Sequence, residues 1–227
     1  MTQTRTCPVQ ALDAETRASM WALFDSHYRG ICKQVFLRDL DAKENAILLY
    51  DQAKLIGFTS LASVYFEDQR IAYSGDIIIE PKYRDSRTAQ LFKAWAQAVW
   101  QKYDWWCLLS SGPRTCRIAH TFYRRVTPNP RHDETQQERE FRDKVAHQIY
   151  GDQYNRRKGI VQLKNPYIMR QHATGIRADY PYFAFFCEQN PGWPDGDELV
   201  SIISLKQENW KPVALRMLHW ETPDGRS

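Results

Sequence analysis

Three consecutive isoleucines, Ile77 to Ile79, end against Pro81, and a basic stretch follows: Lys82, Tyr83, Arg84, Asp85, Ser86, Arg87, Thr88, Ala89. β-Branched residues suit a pleated strand, and proline two positions on cannot extend its ladder. The segment behind the turn has helical periodicity, with Leu91, Phe92, Trp95, Ala98 and Val99 on an apolar stripe. Strand, cationic turn and helix opening in that order form a place for an anion. The N–H groups of a first helical turn lack intrahelical partners, the helix dipole favours negative charge, and the arginines add unit charges. A phosphate group is the expected ligand of Arg84, Ser86, Arg87, Thr88 and Ala89.

The elements around this unit follow from changes of period. Met20, Trp21, Leu23, Phe24 and Tyr28 give residues 14–28 a helical face, with Asp13 as N-cap and Gly30 as stop. Residues 31–40 continue as a second short helix. Strands are predicted at 45–51, 55–66 and 70–80, and the short turns between them require an antiparallel meander. A helix over 86–103, a buried strand over 105–110 and a helix over 114–126 come next. The third and fourth strands are joined by a crossover helix, so they are expected to lie parallel. Residues 131–150 carry many charges and a weak apolar stripe (Phe141, Val145, Ile149), which reads as a surface helix; 151–179 reads as irregular and basic. Strands are expected at 182–188 and 198–205, joined by a long turn rich in Gly, Pro and Asp. The tail 221–227 is expected to fray.

Composition narrows the possibilities. Apolar content is 43% and the net charge is +4, which suits a globular domain and is too weak to imply nucleic acid. No apolar run approaches the length of a membrane span. The first ten residues lack the apolar segment of a secretory signal. The five cysteines are scattered without C-x-x-C spacing. A cytoplasmic location with reduced thiols is therefore expected, and no metal site. No nucleophile elbow and no phosphate loop of the G-x-x-x-x-G-K-[ST] type occurs in the chain.

The order of elements and the turn at 77–89 together resemble the GCN5-related N-acetyltransferase (GNAT) superfamily. Its donor-binding signature is an apolar strand, Pro, then Arg or Gln, two residues, Gly, one residue, and Gly or Ala. Ile77, Ile79, Pro81, Arg84 and Ala89 match, whereas Arg87 stands at the first glycine. Ala119, Phe122 and Tyr123 match a second family pattern, in which Cys116 replaces Asn.

The resemblance implies one α/β (α+β) domain over 1–227. Its core would cover about 14–126 and 182–206, with an insertion at about 131–180. The central sheet would be mixed and mostly antiparallel, its central parallel strands splayed and flanked by helices. It also implies an acyltransferase that moves an acyl group from acyl-CoA, or from the acyl-phosphopantetheine of an acyl carrier protein, to a primary amine by direct attack. The amine would belong to a small molecule or a peptide, and a long fatty acyl chain is an extension of the same reading. Ile77 and Ile79 would offer backbone groups to pantetheine, and Tyr123 would protonate the departing thiolate. Asp76 or Glu80 would take the proton of the amine. Alternation along the third strand sets Asp76 on the side of Ser74 and Ile78, opposite Ile77 and Ile79. A carboxylate inside an apolar strand is costly unless paired, which singles out Asp76. His120 and His132 are further candidate bases, and Asp195, Asp197 and Glu198 could attract a cationic amine. A GNAT-like module that binds a pantetheine-type or apolar ligand without turnover is the alternative to an enzyme.

Overall fold

The computed structural model describes residues 2–170 and 181–219, and the tail expected to fray at 221–227 lies outside them, as does the end of the irregular segment. The chain opens with β1 (Thr2–Pro8), then α1 (Ala14–His27), β2 (Tyr28–Arg29) and α2 (Lys33–Asp41). The meander is β3 (Asn45–Asp51), β4 (Lys54–Phe66) and β5 (Gln69–Ile79), and α3 (Arg84–Val99) crosses over to β6 (Trp105–Ser110). After α4 (Pro113–Phe122) and α5 (Gln136–Tyr150) come the short strands β7 (Tyr154–Asn155), β8 (Ile160–Val161) and β9 (Ile168–Met169). The described residues close with α6 (Pro181–Gln189), β10 (Glu198–Ser204) and α7 (Pro212–His219).

Eight strands form one sheet in the order β1-β3-β4-β5-β6-β10-β8-β7. Every described pairing in it is antiparallel except β5 with β6. That parallel pair runs only from Ile71↔Trp105 to Ser74↔Leu108. β5 continues to Ile79 alongside β4 alone, so the sheet opens between β5 and β6. The opening is the expected splay.

Two layers of side chains explain where the helices dock. On one face Leu91, Phe92, Trp95 and Val99 of α3 join Ala119 of α4, Ala214 of α7 and the inward residues Ile47, Ile56, Ala72, Trp106 and Ile203. On the other, Met20, Leu23 and Phe24 of α1 and Phe36 and Leu40 of α2 cover Leu48, Phe58 and Ile78. Val145 and Ala146 of α5 cover Ile71, Cys107, Val200 and Ile202. Buried apolar area of this order supplies the main driving force for folding, about 25 cal/mol per Å². The second face is thus roofed by two separate blocks of helix, and the gap between them lies over the splay.

Three expectations are corrected here. Residues 182–188 form helix α6, where a strand was expected: Tyr182 and Phe186, four apart, are its buried face, and Phe186 packs with Cys116 of α4. An apolar run this short does not distinguish strand from buried helix by periodicity, and Pro181 at the first helical position favours helix. The strand place beside β10 is taken instead by β8, from the segment read as an insertion. The helix read as a surface element, α5, is docked, because Phe141, Val145 and Ile149 are its contact stripe. An edge strand, β1, precedes the first expected element.

Candidate active site

β5 carries a bulge where the site lies. Leu61 pairs with Ser74 and Thr59 with Ile77, so two residues, Gly75 and Asp76, face Ser60 alone. An extra residue reverses the alternation. Ser74 therefore faces the α3 side with Ile77, where its Oγ accepts from Trp106 Nε1 at 2.8 Å. Asp76 faces the opposite side, with Ile78. The expectation that Ser74 and Asp76 share a side fails on that bulge. Gly75 permits it: a Cβ there would meet Ser60 Oγ at 2.2 Å.

On the α3 side an apolar slot enters the splay. It is lined by Thr59, Ile77, Ile79, Thr88, Leu91, Phe92, Trp95, Trp106 and Ile118; its empty space of about 310 Å³ includes the open mouth, and only about 20 Å³ of it is wide enough for a water molecule. Aromatic rings pack its floor: Phe92 stacks on Phe122 at 3.8 Å and Trp95 lies 4.1 Å from Trp106. At the mouth, Pro81–Tyr83 makes a 3-10 turn, and α3 opens at Arg84, two residues earlier than expected. Arg84 Nε donates to the Ile79 carbonyl at 3.0 Å, an oxygen also bonded by His27 Nε2 at 3.0 Å. The Ile79 carbonyl is thus engaged before any ligand arrives. Arg87 and Thr88 lie in the first turns of α3 half-buried, while Ala89 is exposed; the side chain of Ser86 is outside the described residues. The Nε of Arg87 is buried with no hydrogen-bond partner among the described residues.

Tyr123 lies just beyond α4, 1% exposed, among Phe92, Trp106 and Trp210. Its hydroxyl has no hydrogen-bond partner among the described residues, and burial pushes its pKa well above 10. The ring does not line the slot; it backs Phe92 and Trp106, which do.

Across the sheet, between the two helical blocks, lies a cluster of carboxyl, lysine and tyrosine side chains. Asp76 keeps some solvent access yet lies deep enough that burial, then the nearby Asp39 carboxylate, pushes its carboxyl to about 7 against the pull of Lys43. Glu198, at the start of β10 and 4% exposed, is pushed to about 8, first by burial and then by Asp76. Tyr167 donates to both Glu198 oxygens, at 3.1 and 3.3 Å. The small two-stranded sheet of β2 and β9 sets Tyr167 against Tyr28, with ring centres 5.1 Å apart. Tyr28 reaches Ser111 Oγ at 3.2 Å, past the end of β6. The Tyr150 hydroxyl at the end of α5 donates to that of Tyr73 at 2.5 Å. Lys43, 5% exposed, bonds Asp39 at 2.8 Å and lies 5.1 Å from the Tyr73 ring centre.

The other candidates stand apart. Glu80 bonds Lys54 at 3.0 Å on the β3–β4 side. His120 is 3% exposed, stacks on Tyr182 of α6, and is driven down to about 4 by burial and by Lys211 and Arg131. His132 is exposed. Asp197 accepts from Gln162 at 3.0 Å in a turn that joins α6 to β10, and Asp195 is exposed. Sequence reasoning missed Tyr28, Tyr73, Tyr150 and Tyr167, which come from four distant elements. Among the described residues, no group of three or more His, Cys, Asp or Glu could hold a metal ion, and no helix is long and apolar enough to cross a membrane.

The meander, the crossover helix, the parallel pairing of β5 with β6 and the splay make this a GNAT-like fold. Among solved structures, a protein of unknown function from Enterococcus faecalis described as a probable N-acyltransferase is similar. It has 17% identity and a TM-score of 0.40 over 54% of this chain, which spans only 32% of its length. The ribosomal-protein-S18-alanine N-acetyltransferase of Escherichia coli has 12% identity and a TM-score of 0.40, over 60% of this chain and 86% of its own. The N-acetyltransferase PseH of Campylobacter jejuni, solved with acetyl coenzyme A, has 11% identity and a TM-score of 0.38, over 59% and 93%. These likenesses are slight, and the fold stands on the strand order and the splay. No protein-family model and no curated protein matches the chain.

Proposed function

We propose that the protein is an N-acyltransferase that passes an acyl group from a pantetheine thioester to a primary amine by direct attack. One observation carries this reading: the sheet opens between β5 and β6, with an apolar slot on one face and the Asp76 carboxylate on the other. A thioester entering through the slot and an amine approaching from the Asp76 side would meet at the opening. Holding both reactants there converts a bimolecular step into an effectively unimolecular one. Asp76 accepts the proton that the ammonium must lose. The amine nitrogen then bonds to the carbonyl carbon, the C–S bond breaks, and the second proton lost by that nitrogen goes to the departing thiolate; Tyr123, behind Phe92 and Trp106 and outside the slot, is not placed to supply it. A base with a pKa of about 7 is half ionised at neutral pH, which suits that task.

The aromatic floor of Phe92, Trp95 and Trp106 favours a short acyl group over a fatty one. The phosphate next to pantetheine would lie by Arg84, Arg87 and the start of α3, a contact that CoA and acyl carrier protein share. The test is to mix the folded protein with acetyl-CoA, palmitoyl-CoA or acetylated acyl carrier protein and an amine panel, and to follow free thiol and acylated amine by mass. Consumption of acetyl-CoA with a matching amide is the expected result. A folded protein that neither binds nor consumes any of the three donors overturns the reading in favour of a non-catalytic module.

A further inference from the structure

We infer that the protein holds a free α-amino acid in a groove beneath the C-terminal half of α3, apart from the slot and from Asp76. The inference does not depend on acyl transfer.

The floor of the groove follows from the register. Leu61 of β4 pairs with Asn45 of β3 and with Ser74 of β5, and all three strands turn this row toward α3. Alternation brings Ser63 to the same face and, through the Tyr65↔Arg70 pair, Arg70 as well. Opposite them stand Ala94 and Ala98, one helical turn apart on α3, whose small side chains leave the interval open. The result is a groove with about 370 Å³ of space wide enough for water molecules. That volume lies in the range of small-molecule sites. The slot uses a different stripe of α3, namely Thr88, Leu91, Phe92 and Trp95.

The charges in the groove name its ligand. Arg70 lines it, and its Nη2 donates to Ser63 Oγ at 3.0 Å and to the Tyr103 hydroxyl at 3.4 Å. The guanidinium lies 4.3 Å from the centre of the Tyr103 ring. All these partners are neutral. Its Nε is buried with no hydrogen-bond partner among the described residues, and the Asp104 carboxylate bonds the backbone N–H of Arg70 instead of the guanidinium. Lys102 is exposed at the same groove. Glu44, also in the groove, accepts from the Ser63 N–H at 3.0 Å and from its hydroxyl at 2.9 Å. Two cations and one anion thus share the space without forming an ion pair among the described residues. Glu44 and Arg70 stand on either side of a single hydroxyl, that of Ser63.

A simple anion in this groove would meet Glu44, and a simple cation would meet Arg70 and Lys102; like-charge contact disfavours both. A zwitterion with carboxylate and ammonium on one carbon satisfies all three side chains. Its carboxylate accepts from the Arg70 fork and from Lys102, and its ammonium donates to Glu44. Leu61, Ala94 and Ala98 leave an apolar wall for the side chain of the ligand. The groove is on the sheet face opposite Asp76, so the bound amine is not the acyl acceptor.

The experiment is a thermal-shift screen of the whole protein, without any thioester, against the protein amino acids. Calorimetry then compares the tightest with its deaminated and decarboxylated counterparts, which for leucine are isocaproate and isoamylamine. The amino acid is expected to bind at least tenfold tighter than either. Glu44→Gln should remove its advantage over the carboxylate counterpart, and Arg70→Lys, which keeps the charge without the fork, should weaken it at least tenfold. Ala98→Phe, which fills the groove and alters no charge, should abolish binding. Each variant is checked for folding by far-ultraviolet circular dichroism. Silence of the folded wild-type protein toward every amino acid overturns the inference. So does a carboxylate counterpart, or inorganic phosphate, that binds as tightly as the best amino acid. Affinity unchanged in folded Glu44→Gln and Ala98→Phe also overturns it, because the ligand then lies elsewhere.

Discussion

Ser74 and Ile77, three residues apart on one strand, face the same side of the sheet. The bulge between them turns Asp76 to the opposite face and leaves Gly75 against Ser60. Gly75→Ala would set a methyl group 2.2 Å from Ser60 Oγ and 3.1 Å from Lys43 Cε, so Ser60 must swing aside and Lys43 must shift. Overpacking of this kind costs about 1–3 kcal/mol. Thermal denaturation is expected to show a midpoint several degrees lower, at about 2–4 °C per kcal/mol.

Asp76→Asn removes the proposed base while keeping its shape. Activity on the best amine is expected to fall by about 10²–10⁴-fold, with thioester affinity unchanged because the slot lies across the sheet. In wild-type protein kcat/KM should rise through a limb near pH 7, where Asp76 ionises, and that limb should vanish from the residual activity of the variant. Steady-state kinetics across pH 5–9 checks both, with the apparent value read as belonging to the coupled Asp76–Glu198 pair.

The same two carboxyls set a pH dependence of stability. Both are raised in the folded state, to about 7 and about 8, so the folded protein holds more protons than the unfolded chain between the ordinary carboxylate values and these. Stability therefore falls as pH rises from about 4 to 8, by these two groups alone, and levels off above. The double variant Asp76→Asn, Glu198→Gln is expected to flatten that slope and to be more stable than wild type at pH 8.5. Urea denaturation at pH 5, 7 and 8.5 measures it.

Tyr123→Phe separates two roles of one hydroxyl. A buried hydroxyl without a partner costs about 1–3 kcal/mol, so its removal is expected to raise the thermal midpoint. Because its ring backs Phe92 and Trp106 and does not line the slot, the same change is expected to leave kcat and KM unchanged. A variant that is stabilised and fully active would leave Tyr123 a purely structural residue.

Much of the fold shows in local pattern. The period-two runs at 45–80, cut by short turns, specify the meander, and the crossover helix specifies the parallel pair. Asp76 stood out because one carboxylate interrupts an isoleucine-rich strand. What stayed hidden depended on distance in sequence. Thr2–Pro8 is mostly exposed on its edge and carries no apolar alternation, so nothing local marks it as a strand. Tyr182–Cys187 is apolar at nearly every position and short, which hides its helical face. The bulge at Gly75 depends on Ser60 across the ladder. The polar cluster across the sheet is assembled from β2, β5, the ends of α5 and β10 and the residue before β9, and no spacing along the chain announces that these segments meet.

Under the proposed acyl transfer, the splay gives donor and acceptor separate walls. Residues of α3 and α4 shape what the thioester carries, whereas the ends of α1, α5 and β10 shape what receives it. Apart from β5 itself, the two sets share no element. A protein built this way can drift toward a new acceptor while keeping its old donor, which leaves the identity of the amine the most readily changed property of this chain.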